Sequence, residues 1–479
     1  MQIGSIINGI ERKEDNRDTM EVLHPYNQET VAQLALAKET DLNDAVDNSF
    51  ETFHSTMKSM PAHERADILR KAADLLEEQA EDFAQTIVQE AGKPITFSRS
   101  EIKRSIQVLR FSSELAKHIT GEVIPMDAAI GGENRMGIVK RKPLGVVGAI
   151  TPFNFPLNLS LHKIAPAIAA GNTIVFKPAE KTPISAYKLV RLFQEAGLPD
   201  GVLNLLIGTG KEIGSPLVTH NKVHKITFTG SLPVGRSIQE NAGFKKVTLE
   251  LGSNSPNLIF ADADMKAAVK ELVKGAFAFS GQVCISAQRI YVQKPIYESF
   301  LKEYIKQTEA LNTGDPEKEE TEIGPMINKE EAERAKLWID DAAAKGAVVE
   351  TGGDQNGTIL TPTIMTNVDE NMKIIAEEVF APIVSVIPFE KEDEAVAYAN
   401  NSNYGLQAGV FTKDIDRAMR VADRLETGGV WINEISTYRQ DNHPYGGVKQ
   451  SGIGREGVKY AIEDMTEMKF IGIKLNTGE

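Results

Sequence analysis

Cysteine is almost missing from this chain: Cys284 is the only one among 479 residues. A single thiol excludes an intrachain disulfide framework and fits a reducing, cytoplasmic setting. Long apolar runs are missing as well, since none reaches the length a membrane span needs. The opening MQIGSIINGIERKED has no long apolar run behind a basic segment, so no secretory signal is read there. Positive charge is in deficit: 53 Lys and Arg stand against 67 Asp and Glu, a net charge of −14. Such a surface repels phosphate backbones and anionic lipid, which argues against nucleic-acid and membrane partners. Tandem repeats and low-complexity tracts are absent too. The acidic cluster DPEKEETE, 315–322, reads as a solvated loop.

What is present is length, enough for two or three domains. Residues 1–40 read as an arm with short strands, such as Val31 to Leu36. An amphipathic helix is expected from Pro61 to Ala91, with Ile68, Ala72, Leu75, Gln79, Phe83 and Ile87 on one stripe. Gly92 and Pro94 are expected to stop it, and a further helix spans Ile102–Lys117. Strand-like Glu122–Met126 and Met136–Lys142 flank AAIGGEN and suggest a long hairpin. A two-stranded hairpin is only marginally stable in water, so it should rest on something else, such as a partner subunit.

The clearest architecture follows. GVVGAI (145–150), TIVFKP (173–178), VLNLLIG (202–208) and HKITFTG (224–230) are apolar throughout and separated by helical segments. Strands apolar on both faces, alternating with helices, predict a parallel sheet covered on each side, of the dinucleotide-binding kind. The alternation resumes after Glu250 with IFAD, RIYVQ, SVIPF, AGVF and GVWIN, a second α/β domain. The terminal MKFIGIKL (468–475) is strand-like and could return to the hairpin.

Several stretches carry chemistry. FSGQVCISAQR (279–289) holds Cys284, and Glu250 lies upstream in TLELGSNSP. A lone cysteine is more often a small buried hydrophobe than a nucleophile; a nucleophile needs the thiolate, which a base or dipole must supply. Gly281 is expected to let the backbone approach a ligand. FTGSLPVG (228–235) follows a strand and opens a helix. Gly230 there permits a tight turn, Ser231 can cap, and free N–H groups suit a pyrophosphate, although the spacing is not GxGxxG. Lys177 and Glu180 in FKPAEKTP sit where the carboxyl edge of a sheet gathers ligands; a carboxylate there accepts ribose hydroxyls and repels a 2′-phosphate, which favours NAD over NADP. Asn154 in TPFNFPLNL is an amide donor for an oxyanion, or simply a turn residue.

Taken in order, TPFNFP, FKPAEKTP, FTGS, LELGSNSP, GQVCIS, EEVFAP and PYGGVKQSGIGREG resemble the aldehyde dehydrogenase superfamily over essentially the whole chain. The resemblance implies an α/β fold with a Rossmann-like cofactor domain, an α/β catalytic domain and a β-strand oligomerisation element. The corresponding ranges are 1–121 with 143–248, then 249–450, and 122–142 with 464–479. It implies Cys284 as nucleophile, Asn154 and the Cys284 N–H as oxyanion donors, and Glu250 as the base that activates water. It implies NAD as cofactor, with NADP left open, held by Ile150, Pro152, Lys177, Glu180, Gly208, Phe228, Gly230, Ser231, Leu251, Glu378 and Phe380. No metal is implied, and a homodimer or homotetramer is. Two departures stand out: Ser253 and Asn254 replace the family's usual glycine and lysine, and Cys284 is flanked by Val283 and Ile285 rather than by cysteine.

The substrate pocket is expected to include Arg104, His162 and Arg439, with Val283 and Ile285. Two arginines and a histidine around one tunnel favour a short anionic aldehyde through charge-assisted bonds. The pattern looks like the branch acting on lactaldehyde, phosphonoacetaldehyde and glyceraldehyde phosphate, and sulfolactaldehyde would suit. The competing reading is that both arginines make structural ion pairs and His162 is a satisfied helix histidine, in a broad enzyme for neutral aldehydes. Acyl transfer to CoA or phosphate, and a silent family member, are further alternatives; Glu250 weighs against the CoA branch.

Overall fold

The computed structural model describes residues 2–13 and 16–476. One sheet has five parallel strands at its centre, ordered Lys246–Glu250, Val223–Thr229, Val146–Ile150, Thr173–Lys177, Leu203–Leu205. Both Val146–Ile150 and Thr173–Lys177 are buried along their whole length, which is why they read as unbroken apolar runs. Antiparallel strands close the two edges: Gly452–Ile453 on one side, Ser5–Ile7 with Ile10–Arg12 on the other. The chain enters at Val146–Ile150, builds outward one way, then returns to build the other way. The carboxyl end of Val146–Ile150 is therefore the switch point, where open α/β sheets take their ligands.

A second sheet is ordered Val348–Thr351, Thr363–Thr366, Ile383–Phe389, Arg289–Gln293, Pro256–Ile259, Gln407–Phe411, Gly429–Ile432, parallel except at its first strand. A third has three antiparallel strands. Thr466–Lys474 pairs with Arg135–Pro143 from Thr466 opposite Pro143 to Lys474 opposite Arg135, and Glu122–Ile124 lies beyond. Exposed apolar side chains stand on both of its faces, Met468 and Phe470 on one and Val123, Met136 and Ile473 on the other.

The helices correct the sequence reading in places. The stripe expected over Pro61–Ala91 is two helices, Ala62–Glu78 and Ala80–Ala91, because Gln79 leaves the helical region at φ −99, ψ 15. In the first, Leu69, Ala73 and Leu76 reach the core, while Ile68 and Leu75 are only partly covered. Gly92 ends the second in a left-handed cap at φ 64. Pro94 does not stop a helix; it caps the start of Ile95–Ala116, where its missing N–H costs nothing. The 315–322 segment is a loop, as expected. Among the described residues no helix is long and apolar enough to cross a membrane.

Candidate active site

The segment before Cys284 is bent. Phe279, Ser280 and Gly281 all adopt positive φ, at 47°, 54° and 69°. A Cβ on Gly281 would lie 2.1 Å from the Ala381 carbonyl oxygen, so this glycine admits protein backbone rather than a ligand. Gln282 pins the turn, its amide reaching the Phe279 and Pro325 carbonyls while its Oε1 accepts from the Ile327 N–H. Cys284 then faces a cavity of about 610 Å³ shared with Asn154, Glu250, Glu378 and Phe380. Its Sγ lies 3.1 Å from the Tyr445 hydroxyl. Burial pushes the thiol up to about 11, against the pull of the Tyr445 hydrogen bond and the Arg439 charge. Cys284 is thus a neutral thiol near neutral pH and needs help to ionise.

Glu250 ends the edge strand of the parallel sheet. Its side chain is buried, and neither carboxylate oxygen has a partner. Gly446 leaves room for it: a Cβ there would fall 2.8 Å from Oε1. Burial, with the Glu456 charge added, raises the Glu250 carboxyl well above its ordinary value. Buried orphans of this kind are uncommon in native proteins and point to a visiting partner. Asn154 sits just past the switch-point strand. It donates from Nδ2 to the Gln282 carbonyl at 2.9 Å, and its Oδ1 is another buried orphan.

The cleft continues into a second cavity of about 380 Å³, and both share Pro152, Thr229 and Gly230. Ile150, Lys177, Glu180 and Phe228 line the second; Ser231, Leu251, Glu378 and Phe380 line the first. Lys177 Nζ meets Glu180 Oε1 at 2.9 Å. Glu378 accepts from the Ser253 N–H at 3.0 Å, and burial raises it to about 7. Gly252 makes room beside it, because a Cβ would fall 2.1 Å from Glu378 Oε2. This continuous groove at the switch point, with carboxylates at both ends and glycine between, fits a dinucleotide. Three details differ from expectation. Gly208 lines neither cavity and instead packs on Ile213, 2.6 Å from where its Cβ would stand. Ser231 holds the N-cap position of Leu232–Asn241 but makes no side-chain cap bond. Gly230 does not use a left-handed turn; it clears the Phe228 ring, which a Cβ would meet at 2.5 Å.

None of the residues assigned to substrate lines the Cys284 cavity. Val283 and Ile285 are buried in the apolar core and do not line the cavity with Cys284, since successive side chains leave the backbone in different directions. Arg104 and His162 converge on Asp441, whose Oδ1 lies 2.6 Å from Arg104 and 2.8 Å from His162 Nε2. Burial lowers the His162 pKa, and Arg439 adds to the effect. Arg439 pairs with Glu456 at 3.0 Å, and its guanidinium lies 3.6 Å over the Tyr445 ring. Glu456 also holds Lys163, whose Nζ donates to Thr229. Yet Arg439 Nε and His162 Nδ1 remain buried without partners. Sequence reading did not single out Tyr445, Asp441, Glu456 or Lys163. Tyr445 and Asp441 stood within the Arg439 stretch STYRQDNHPYGG without a signal of their own.

A thiol, a buried carboxyl and an amide gathered at the mouth of a dinucleotide cleft define a cysteine-dependent oxidoreductase. The aldehyde dehydrogenase family profile matches residues 12–471, and the chain belongs to that family. It is 46% identical over 474 residues to the 3-sulfolactaldehyde dehydrogenase of Priestia megaterium, covering 99% of this chain and 98% of the relative. It is 41% identical to the lactaldehyde dehydrogenase of Methanocaldococcus jannaschii, covering 96% and 99%. Among solved structures, glyceraldehyde-3-phosphate dehydrogenase GapN of Methanocaldococcus jannaschii, complexed with NADP, aligns with TM-score 0.92 and 41% identity over 96% of this chain and 100% of that one. Betaine aldehyde dehydrogenase of Staphylococcus aureus with NAD⁺ aligns with TM-score 0.95 and 35% identity, covering 99% and 95%. The protein is an NAD(P)-dependent aldehyde dehydrogenase with the α/β fold of that family.

Proposed function

We propose that the enzyme oxidises a short aldehyde carrying an anionic group, through a thioester on Cys284. The carrying observation is a buried orphan donor, Arg439 Nε, on the guanidinium that lies 3.6 Å over the Tyr445 ring, whose hydroxyl meets Cys284 Sγ. A buried guanidinium donor without an acceptor is costly, and a substrate carboxylate, sulfonate, phosphonate or phosphate oxygen would satisfy it. Arg104 keeps 28% of its side chain exposed while it pairs with Asp441. The names of the sulfolactaldehyde and lactaldehyde relatives support a short aldehyde. Against the competing reading, ion pairing with Glu456 does not use up this donor.

In this proposal the Cys284 sulfur gives its electron pair to the aldehyde carbon, the carbonyl pair moves to oxygen, and the thiol proton passes to Glu250. Asn154 Nδ2 and the Cys284 N–H hold the oxyanion. The aldehyde hydrogen then leaves with its electron pair, and a thioester remains. Bound NAD(P) supplies the acceptor for that hydride. Glu250 then gives that proton up to solvent and, again a carboxylate, takes one from water as the water oxygen adds to the thioester carbon; the C–S bond breaks, the sulfur leaves as thiolate and the carboxylate is released. Lys177 and Glu180 hold the adenine ribose, Glu378 and Phe380 the nicotinamide side, and Ile150, Pro152, Phe228, Gly230, Ser231 and Leu251 the groove between. Glu180 favours NAD, whose ribose hydroxyls it can accept from.

The same proposal keeps the division into a cofactor domain (1–121 with 143–248), a catalytic domain (249–450) and an oligomerisation element (122–142 with 464–479). Positions 1, 14, 15 and 477–479 of these ranges lie outside the described residues. The exposed apolar side chains on both faces of the three-stranded sheet support a homodimer or homotetramer. A cytoplasmic setting rests on the single thiol. The test is NAD⁺ reduction with short aldehydes, each anionic one paired with a neutral analogue of similar size. A tenfold preference for the anion, about 1.4 kcal/mol at the transition state, supports the reading. Equal rates would replace it with a general aldehyde-clearing enzyme, and stimulation by CoA or phosphate would indicate acyl transfer instead.

A further inference from the structure

The Tyr445 phenol is buried, and the one hydrogen bond of its hydroxyl among the described residues goes to Cys284 Sγ, at 3.1 Å. The ring cannot swing. Its backbone is bonded in both directions to Glu456, Tyr445 N to Glu456 O at 3.0 Å and Glu456 N to Tyr445 O at 2.6 Å. The Arg439 guanidinium covers one face of the ring at 3.6 Å, and Glu456 holds that guanidinium in turn. A hydroxyl is therefore fixed against the reacting sulfur, with a cation over the ring that carries it.

We propose that the Tyr445 hydroxyl recognises a hydroxyl on the carbon next to the aldehyde, so that the enzyme's substrates are 2-hydroxyaldehydes. This rests on the reading of aldehyde oxidation at Cys284. When sulfur bonds to the aldehyde carbon, it changes from a thiol or thiolate into a thioether-like sulfur, a weak acceptor. Tyr445 then stands buried with its partner gone. Asn154 and the Cys284 N–H already face the oxyanion, so that oxygen does not need the phenol. A hydroxyl on the next carbon is three bonds from Sγ, within reach of a group 3.1 Å from that sulfur. It replaces the lost partner as the covalent bond forms. Tyr445 exchanges no proton in this step; it only changes hydrogen-bond partner. A site built around a substrate hydroxyl rejects the analogue without it, because its own polar group is left unpaired.

The experiment compares kcat/KM for 2-hydroxypropanal with propanal, and for 3-sulfo-2-hydroxypropanal with 3-sulfopropanal, in the wild type and in Tyr445→Phe. Phenylalanine keeps the ring under Arg439 and removes only the hydroxyl. The wild type is expected to favour the hydroxylated member of each pair at least tenfold, and Tyr445→Phe to bring that ratio below twofold. A wild-type ratio near one overturns the inference without any variant. So does a variant that loses equally on both members, which would assign the phenol to the sulfur or the oxyanion alone. The anion reading is scored separately, between the sulfonated and the neutral pair. Turnover of none of the four aldehydes removes the oxidation reading itself, and this inference with it.

Discussion

Replacing Arg439 by methionine tests two things that the structure ties together. The Arg439 side chain is 6% exposed and its partner Glu456 2%, so the substitution breaks a buried ion pair. Breaking such a pair by removing one member costs roughly 3–5 kcal/mol, mostly because the other charge is left buried. Glu456 keeps Lys163 at 2.7 Å, which places the expected loss at the low end, about 3 kcal/mol. With a urea slope of about 3 kcal/mol per molar, the unfolding midpoint drops by about 1 M. The chain's two tryptophans, Trp338 and Trp431, provide a fluorescence readout. On the folded variant, KM for an anionic aldehyde should rise at least tenfold while that for its neutral analogue rises far less. An unmoved midpoint would refute the structural half of this reasoning. Equal losses on the two aldehydes would refute the anion-binding half.

Three other outcomes follow from the buried titratable groups. Alkylation of Cys284 by iodoacetamide in the free enzyme should be slow at neutral pH and climb toward about pH 11; NAD⁺, whose nicotinamide is a cation, should speed it, and rapid labelling of the free enzyme at neutral pH would contradict the burial argument. For Glu250, burial favours the neutral acid, so its base form appears only above a raised pKa. The kcat profile should rise with pH well above the ordinary carboxyl value of 4.5, and Glu250→Gln should lose both activity and that rise. Glu90 is buried, accepts from the Ile184 and Ser185 N–H groups, and is raised from 4.5 to about 7. Its contribution to stability is full below pH 4.5 and is lost as pH climbs through about 7. Denaturation between those values should show wild-type stability falling relative to Glu90→Gln, and parallel profiles would sink that assignment.

The parallel sheet was legible because its strands are buried on both faces, and a strand with no wet face must be apolar at every position. The nucleophile was legible only through company, since one cysteine has no pattern of its own. Glycine roles were misjudged where the neighbour comes from far along the chain. Gly281 answers to Ala381, and no local spacing announces a contact across 100 residues. The ionic cluster was hidden in the same way. Arg104 and Asp441 stand 337 positions apart, and the sequence shows the cation in one stretch and its acceptor in another. The sequence therefore left open whether the arginines meet a substrate or structural carboxylates, and the structure supplies carboxylate partners for both. These pairings sharpen the proposed site rather than dissolve it. Pairing with Asp441 and Glu456 neutralises charge and fixes geometry, while Arg439 Nε and His162 Nδ1 stay unsatisfied. In the proposed reading Glu456 thus prepares Arg439 Nε for a substrate, because a guanidinium held by one carboxylate loses little further freedom when a second anion arrives.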